Sequence, residues 1–113
     1  MKYIIAVIQP DRLDEVLRIL EEKEIHLVTV TSVLGRGRQK GISEVYRGHK
    51  EAGRLLKKVK LEIAINEEFV KPTIDAIKEG GRTGHIGDGK IFVLDLKECI
   101  RIRTGEMSNV AIG

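Results

Sequence analysis

The chain has 113 residues, of which 42% are hydrophobic and 33% are charged, and its formal net charge is +3. This length fits one domain and excludes two independently folded ones, while the apolar fraction excludes a disordered polar chain. A single cysteine excludes an intramolecular disulfide, and the apolar run from Tyr3 to Ile8 is too short for a signal peptide or a membrane span, so we expect a cytoplasmic protein.

The first part of the chain predicts a strand, a helix and a second strand. Residues 2–9 form the first strand, which is apolar on both faces, so each face requires cover. Residues 10 and 11 begin a helix whose apolar positions follow the 3.6-residue period: Leu13, Val16, Leu17 and Leu20. Residues 25–34 are rich in β-branched side chains, which is typical of a strand.

Residues 35–53 have no periodicity and contain five glycines. The overlapping segment 36–60 carries nine basic groups and two acidic ones, a local charge of +7. A structureless segment of this length in a small domain favours a functional loop over a misassigned element. Clustered positive charge suggests an anionic partner, and a solvated basic loop is the alternative.

The second part of the chain repeats the order of the first. Residues 55–66 alternate between apolar and polar, which predicts a half-buried strand, and a helix follows over residues 67–80. A glycine-rich loop leads to a buried strand at 91–96, and a last short strand is expected at 100–104. The order predicts an α+β, ferredoxin-like βαββαβ sandwich with a long loop after the second strand.

This fold has both helices on one face of a four-stranded antiparallel sheet and leaves the other face open. Because the first strand is apolar on both faces, we expect neighbouring subunits to cover the open face. The sequence therefore predicts an oligomer.

Residues 84–90, GHIGDGK, offer a candidate phosphate site. They match the G-x-x-x-x-G-K part of a P-loop, but Ile91 follows where that motif needs Ser or Thr, and a strand follows where it needs a helix. A P-loop is therefore rejected. Closely spaced glycines still let backbone N–H groups approach an anion, and Lys90 adds a positive charge. A plain glycine-rich turn is the alternative.

Two further cationic motifs could meet the same anion. Arg101 and Arg103 are expected to project from one face of the last strand, where paired guanidiniums suit a triphosphate. Residues 35–41, GRGRQKG, directly follow a strand, and Arg38 with nearby backbone N–H groups could also reach an anion. This cluster lacks the following helix and the spaced acidic residue of a dinucleotide-binding fingerprint.

No motif for hydrolytic or metal chemistry stands out. The histidines His26, His49 and His85 lack the spacing of metal ligands, and no Ser–His–Asp or paired-carboxylate pattern is present. A phosphate-binding chain without an evident base or nucleophile is expected to be a sensor rather than an enzyme. A slow ATPase, the alternative, would need a positioned base.

Three motifs in this βαββαβ frame resemble the PII nitrogen-regulatory signal proteins: GRGRQKG with its long loop, TGHIGDGKIFV and IRIRTGE. The similarity runs from Met1 to about Glu106. It implies a homotrimer whose central barrel buries the open sheet faces. It also implies a single domain over residues 1–113 with three functional loops, the T-loop at 35–54, the B-loop at 82–90 and the C-loop at 101–106.

The resemblance implies that ATP or ADP binds in the clefts between subunits, and that 2-oxoglutarate binds together with Mg-ATP. Lys58 would pair with a carboxylate of 2-oxoglutarate. Gln39 would ligate the Mg²⁺ ion and so meet both the nucleotide and 2-oxoglutarate, while Thr29 and Glu62 would contact the adenine end. The remaining nucleotide contacts that the family implies are Arg38, Gly87, Asp88, Gly89 and Lys90, with Arg101, Ile102 and Arg103 from across the interface.

The long loop departs from the family at the positions of its covalent switches and agrees at its tip. Glu51 stands where many members carry a uridylylated tyrosine, and His49 where some carry a phosphorylated serine, so we expect control by ligands. Tyr46 and Arg47 match the tip. In GlnK-type members that arginine plugs an ammonium transporter, which implies reversible association with the inner face of the membrane. A soluble enzyme of nitrogen metabolism is the alternative partner.

The βαββαβ order is also that of RNA-recognition modules, which stack bases on aromatic rings of their central strands. The strand segment VKLEIAIN has no aromatic residue, and aromatic residues make up only 4% of the chain. We therefore expect no nucleic-acid partner.

Overall fold

A computed structural model describes residues 1–37 and 54–113 of the chain. In chain order the elements are β1 (Lys2–Ile8), α1 (Leu13–Glu22), β2 (Thr29–Gly35), β3 (Leu56–Ile65), α2 (Val70–Gly81), β4 (Gly89–Asp95) and α3 (Ser108–Ile112). A 3₁₀ turn precedes each of the two long helices. Among the described residues, no helix is both long and apolar enough to cross a bilayer.

The four strands form one antiparallel sheet in the order β2-β3-β1-β4. β1 is central, so Ile4 lies opposite Ile63 of β3 on one side and Val93 of β4 on the other. The predicted ferredoxin-like βαββαβ sandwich is confirmed, because the strands and the two long helices follow the expected order and pairing.

The hydrophobic core lies between one face of this sheet and helices α1 and α2. Alternate side chains of β1 and β3 are buried there: Ile4, Ala6, Ile8, Val59, Leu61, Ile63 and Ile65. The helices contribute Val16, Ile19, Leu20, Ala76 and Ile77. Burial of each large aliphatic side chain contributes about 1.5–3 kcal/mol, so this layer is the main source of stability.

Helices α1 and α2 are in close contact at Gly80. A Cβ atom at Gly80 would lie 2.8 Å from the Cα atom of Val16, so only a hydrogen atom fits there. Arg12 supports the same contact, since its Nε donates to the Gly80 carbonyl oxygen at 2.7 Å. The contact fixes the end of α2, and therefore the point at which the following glycine-rich loop begins.

Gly80→Ala is expected to destabilise the protein by about 1–3 kcal/mol, because the new methyl group must displace the α1 backbone. Gly81→Ala is the matched control, since its Cβ would meet Ile8 Cγ2 at 3.6 Å, an ordinary contact. Urea unfolding of the two variants measures the difference. Equal midpoints would mean that the helices separate without cost.

Two predicted strands differ from those observed. The second strand begins at Thr29, because residues 25–28 lead out of α1 and the Ile25 N–H still donates to the Leu20 carbonyl. The strand predicted as buried at 91–96 is β4, an edge strand whose Phe92, Val93 and Leu94 are about half exposed in the single chain. An edge strand has a neighbour on one side only, so an apolar sequence does not by itself bury it.

The strand predicted at 100–104 is wrong, since these residues form a turn. The Arg101 N–H donates to the Glu106 carbonyl and the Gly105 N–H to the Arg101 carbonyl, each at 2.8 Å. Ile100 forms only an isolated bridge with Met107. Gly105 has φ +75°, which allows the chain to reverse before it reaches another strand.

The other face of the sheet is uncovered in the single chain, as expected. In the register of β1 and β4, Tyr3 lies opposite Leu94 and Ile5 opposite Phe92, all on this face. Phe92 is 48% exposed and Leu94 is 46% exposed. The expectation that both faces of β1 are covered is therefore met within the chain only on the helix side.

Candidate functional site

The glycine-rich loop between α2 and β4 (residues 82–88) is organised around the carboxylate of Asp88. This carboxylate accepts hydrogen bonds from the backbone N–H groups of Thr83, at 2.8 Å, and of Gly84, at 3.0 Å. The Thr83 hydroxyl donates to its other oxygen. These bonds, the one from the Thr83 hydroxyl above all, hold the pKa of Asp88 below its usual value. Asp88 therefore remains ionised and closes the loop from within.

Gly89 brings the start of β4 against the end of β1. Its φ is +110°, and a Cβ atom there would lie 1.8 Å from the Val7 carbonyl oxygen. Gly87 has φ +103°, which is also in the region that side chains disfavour. The two glycines flank Asp88, so the loop leaves its backbone exposed where a phosphate could approach.

The Gly87 carbonyl oxygen is the point where the loop meets the central strands. Gln9, the residue after β1, donates to it through Nε2 at 2.9 Å, and Lys58 of β3 donates through Nζ at 3.2 Å. Lys58 is only 9% exposed, and burial lowers the pKa of its ammonium group. The nearby charge of Asp88 acts in the opposite direction, but the effect of burial is larger. A buried cation at the base of this loop is suited to an anionic ligand.

Lys90 lies on the uncovered face of the sheet, directly after the glycine-rich loop. It pairs with Val7 in the β1–β4 register, and its side chain is exposed. Val7 in turn pairs with Lys60 of β3, which places two ammonium groups in one row across this face. The row forms a cationic border beside the loop.

Thr29 and Glu62 lie directly opposite each other on β2 and β3, also on the uncovered face. Tyr3 donates its hydroxyl hydrogen to Glu62 Oε2, and Lys60 Nζ is 3.6 Å from Glu62 Oε1. The bond from Tyr3 first, and then the charge of Lys60, hold the pKa of Glu62 below its usual value. A carboxylate and a hydroxyl together can accept and donate hydrogen bonds at the edge of a purine.

The row of Glu62 is adjacent to that of Lys90 along the strands. Ile5 pairs with Glu62, and Val7, two residues further, pairs with Lys90. Two residues of a strand span about 7 Å, and Glu62 of β3 and Lys90 of β4 also lie two strand spacings apart across the sheet, about 10 Å. The structure therefore brings together, on one face, the predicted adenine contacts and the predicted phosphate contacts Gly87, Gly89 and Lys90.

Arg101 and Arg103 do not share a strand face, because they belong to the C-terminal turn. Arg101 Nε donates to the Ala111 carbonyl at 3.0 Å, and Nη1 lies 3.2 Å from Glu106 Oε1. These contacts tie the turn to α3. Ile102 is fully exposed and Arg103 is exposed beside it. Within the single chain, the hydrogen bonds of Arg101 thus run to the C-terminal segment and not to the glycine-rich loop.

The predictions for Arg38, Gln39, Tyr46 and Arg47 lie outside the described residues, as do those for His49 and Glu51. The Mg²⁺ position implied by Gln39 is among them. Across residues 1–37 and 54–113, no cluster of three or more His, Cys, Asp or Glu side chains is placed to hold a metal ion.

Three residues that support the site were missed by sequence reasoning: Tyr3, Gln9 and Thr83. Gln9 offers a weak signal, since a polar residue ends an otherwise apolar strand. Thr83 lies four positions before Gly87 and could have been suspected of capping the loop. Tyr3 gives no local signal, because its partner Glu62 is 59 residues away.

Comparison with known proteins gives consistent matches over nearly the whole chain. The model of the family described as nitrogen regulatory protein P-II matches residues 1–106. The nitrogen regulatory protein GlnK1 of Methanosarcina mazei is 54% identical over 114 positions, which cover 99% of this chain and 97% of that protein. A nitrogen regulatory protein P-II of Bradyrhizobium diazoefficiens is 51% identical, and the match covers 99% of this chain and all of the relative.

A solved structure supports the same assignment at the level of the fold. The crystal structure of Arabidopsis thaliana PII bound to citrate superposes with a TM-score of 0.80 at 36% sequence identity. The superposition covers 98% of this chain and 88% of the plant protein. Both the order of elements and the sheet are therefore shared with a solved member.

Proposed function

This chain belongs to the nitrogen regulatory protein P-II family, and we propose that it senses ATP, ADP and 2-oxoglutarate and controls an ammonium transporter through residues 35–54. Proteins of this family are signal transducers and not enzymes, so the prediction that this chain is not an enzyme is confirmed. The ligands and the partner are the parts that we propose.

One observation carries the proposal for nucleotide binding: both kinds of contact that an adenine nucleotide needs lie on the uncovered face. The glycine-rich loop and Lys90 offer backbone N–H groups and a positive charge for phosphates. One row away, Thr29 and Glu62 offer hydrogen-bonding groups for the adenine amine. The two sets are about 7 Å apart along the strands and two to three strand spacings, about 10–14 Å, apart across the sheet, so the ligand that we propose is extended.

The site we propose is completed by a neighbouring copy in a homotrimer. Ile5, Phe92 and Leu94 give the uncovered face an apolar part that solvent does not favour. Arg101, Ile102 and Arg103 project from an exposed turn, and in the proposed assembly they reach the phosphates of a nucleotide held by the next subunit. Arg38 and Gly87, Asp88 and Gly89 contribute the remaining contacts from the loop side.

We assign 2-oxoglutarate to the buried ammonium group of Lys58, next to the phosphates. A small dianion needs more than one charge, and in this proposal Gln39 holds an Mg²⁺ ion that bridges the metabolite to ATP. ADP lacks the γ-phosphate that completes this arrangement. The metabolite therefore binds only when Mg-ATP is present.

The partner that we propose is an ammonium transporter, with Tyr46 and Arg47 at the contact. Arg47 lies near the middle of residues 35–54 in the sequence, and in this proposal it is the residue that enters the partner. A thin guanidinium can enter a narrow pore, and Tyr46 adds an apolar surface at its mouth. The protein is then cytoplasmic and associates with the inner face of the membrane while it is bound.

Calorimetric titration with ATP, ADP, AMP and 2-oxoglutarate tests the ligands. We expect binding of ATP and of ADP, and binding of 2-oxoglutarate only with ATP and Mg²⁺. Equal 2-oxoglutarate affinity without nucleotide would contradict the bridging role of the metal, and a chain that takes up no adenine nucleotide would contradict the sensor function.

Sedimentation with transporter-containing membranes tests the partner. We expect the wild type to sediment with ADP and to be released by ATP with 2-oxoglutarate. Arg47→Ala should abolish channel block, while Lys50→Ala, which removes a charge from the same loop, should retain it. Full block by Arg47→Ala would contradict pore insertion, and binding to a soluble enzyme alone would favour the alternative partner.

A further inference from the structure

The Gly87 carbonyl oxygen is shared by two donors of different chemistry. Gln9 brings a neutral amide at 2.9 Å and Lys58 brings an ammonium group at 3.2 Å. They reach the same atom because Ile8 and Val59, the residues adjacent to them, are paired across β1 and β3. A carbonyl oxygen has two lone pairs, so both donors can bind it together.

The two donors differ in what else they attract. The ammonium group of Lys58 is buried with its charge, so a negatively charged acceptor is preferred over a neutral carbonyl. The amide of Gln9 has no charge and gains nothing comparable from an anion. A dianion that enters beside the loop therefore draws Lys58 away from Gly87 and leaves the bond from Gln9 in place.

We propose that Gln9 is a positioning residue that keeps the glycine-rich loop in its binding geometry while Lys58 turns to 2-oxoglutarate. This inference rests on the proposed function. Gly87 precedes Asp88 and Gly89, so the orientation of its peptide sets where the neighbouring N–H groups point. Gln9 thus links metabolite binding to nucleotide binding, because its bond to Gly87 keeps the glycine-rich loop in place while Lys58 binds the metabolite.

The structure gives a clear expectation for a chain without this amide. Among the described residues, Lys58 would then be the remaining side-chain donor to the Gly87 carbonyl. Binding of 2-oxoglutarate would have to break that bond and leave a partly buried carbonyl without either side-chain donor. The affinity for 2-oxoglutarate should therefore fall more than the affinity for ATP, because ATP does not compete for Lys58.

The test compares Gln9→Met, which keeps the length of the side chain but removes the donor, with Gln9→His, which keeps an uncharged N–H donor. Affinity is measured for ATP with Mg²⁺, and for 2-oxoglutarate at saturating Mg-ATP. We expect Gln9→Met to weaken the binding of 2-oxoglutarate by about 5- to 30-fold, the range of one partly buried hydrogen bond, and to weaken the binding of ATP by a smaller factor. Gln9→His should restore most of the difference.

Equal losses for both ligands, or no loss for either, would overturn the role of Gln9. Gln9→Ala provides a second variant without the donor, and thermal unfolding without ligands shows whether each variant is folded. A wild-type chain that binds neither ATP nor 2-oxoglutarate would overturn the proposed function itself, and the role of Gln9 with it. The two failures are distinct, because the second is seen before any variant is made.

Discussion

Gly89→Ala is expected to destabilise the protein by about 2–6 kcal/mol and to abolish nucleotide binding. The added Cβ would lie 1.8 Å from the Val7 carbonyl oxygen, a distance that no side-chain movement can relieve. The backbone at φ +110° adds roughly 1–3 kcal/mol of strain for a residue with a side chain. β4 would have to withdraw from β1 at the point where Lys90 and the loop meet the sheet.

Gly84→Ala separates the two causes of this loss. Gly84 also has a positive φ, +90°, but a Cβ there would meet nothing within 4 Å. We expect it to lose only the backbone part, about 1–3 kcal/mol. Urea unfolding of both variants gives the comparison. If the two lose the same stability, close approach to Val7 is not what requires glycine at position 89.

ATP binding is expected to weaken by about 10- to 150-fold in Lys90→Ala and likewise in Arg103→Ala, which is the range of one lost charge-assisted hydrogen bond to a phosphate. Lys97→Ala is the matched control, because Lys97 is an exposed lysine shortly after β4 and its loss changes the net charge equally. Calorimetry measures all three variants. If both Lys90→Ala and Arg103→Ala bound ATP with wild-type affinity, the nucleotide phosphates would have to bind elsewhere on the protein.

Mixed assemblies of these two variants test whether the site lies between subunits. If Lys90 and Arg103 come from different chains, some sites in a mixed trimer join an intact Lys90 to an intact Arg103. Mixing should then restore a fraction of tight sites that neither variant has alone. If Lys90 and Arg103 of one site belong to the same chain, every site in the mixture lacks one of the two residues. Mixing then restores no tight ATP sites.

The fold was predictable because its strongest signals are periodic and local. The alternation that buries Val59, Leu61 and Ile63 can be read from the ten residues of β3. The same alternation misleads at Arg101 and Arg103, where backbone bonds to Glu106 and a positive φ at Gly105 turn the chain back. The helix α3 escaped notice because five residues are too few to show a helical period.

The site was predictable only in part, for a related reason. Motif and resemblance named Lys58, Gly87 and Lys90, which lie at the loop or beside it. The bond between Gln9 and Gly87 joins residues 78 apart, so no window of sequence contains both. The resemblance assigns Asp88 to the nucleotide, and the structure shows that its carboxylate oxygens accept hydrogen bonds from Thr83 and Gly84, which no sequence pattern indicates.

The central position of β1 also governs how the chain reaches its fold. β1 is the first strand to be synthesised, yet its partners begin at Leu56 and Gly89, and Lys2 contacts Asp95, 93 residues later. Closure of such long loops costs chain entropy, so folding proceeds at the pace of distant strand pairing and not of helix formation. A nascent chain that ends before β4 exposes one unpaired edge of a strongly apolar strand, the kind of edge along which strands of different molecules associate.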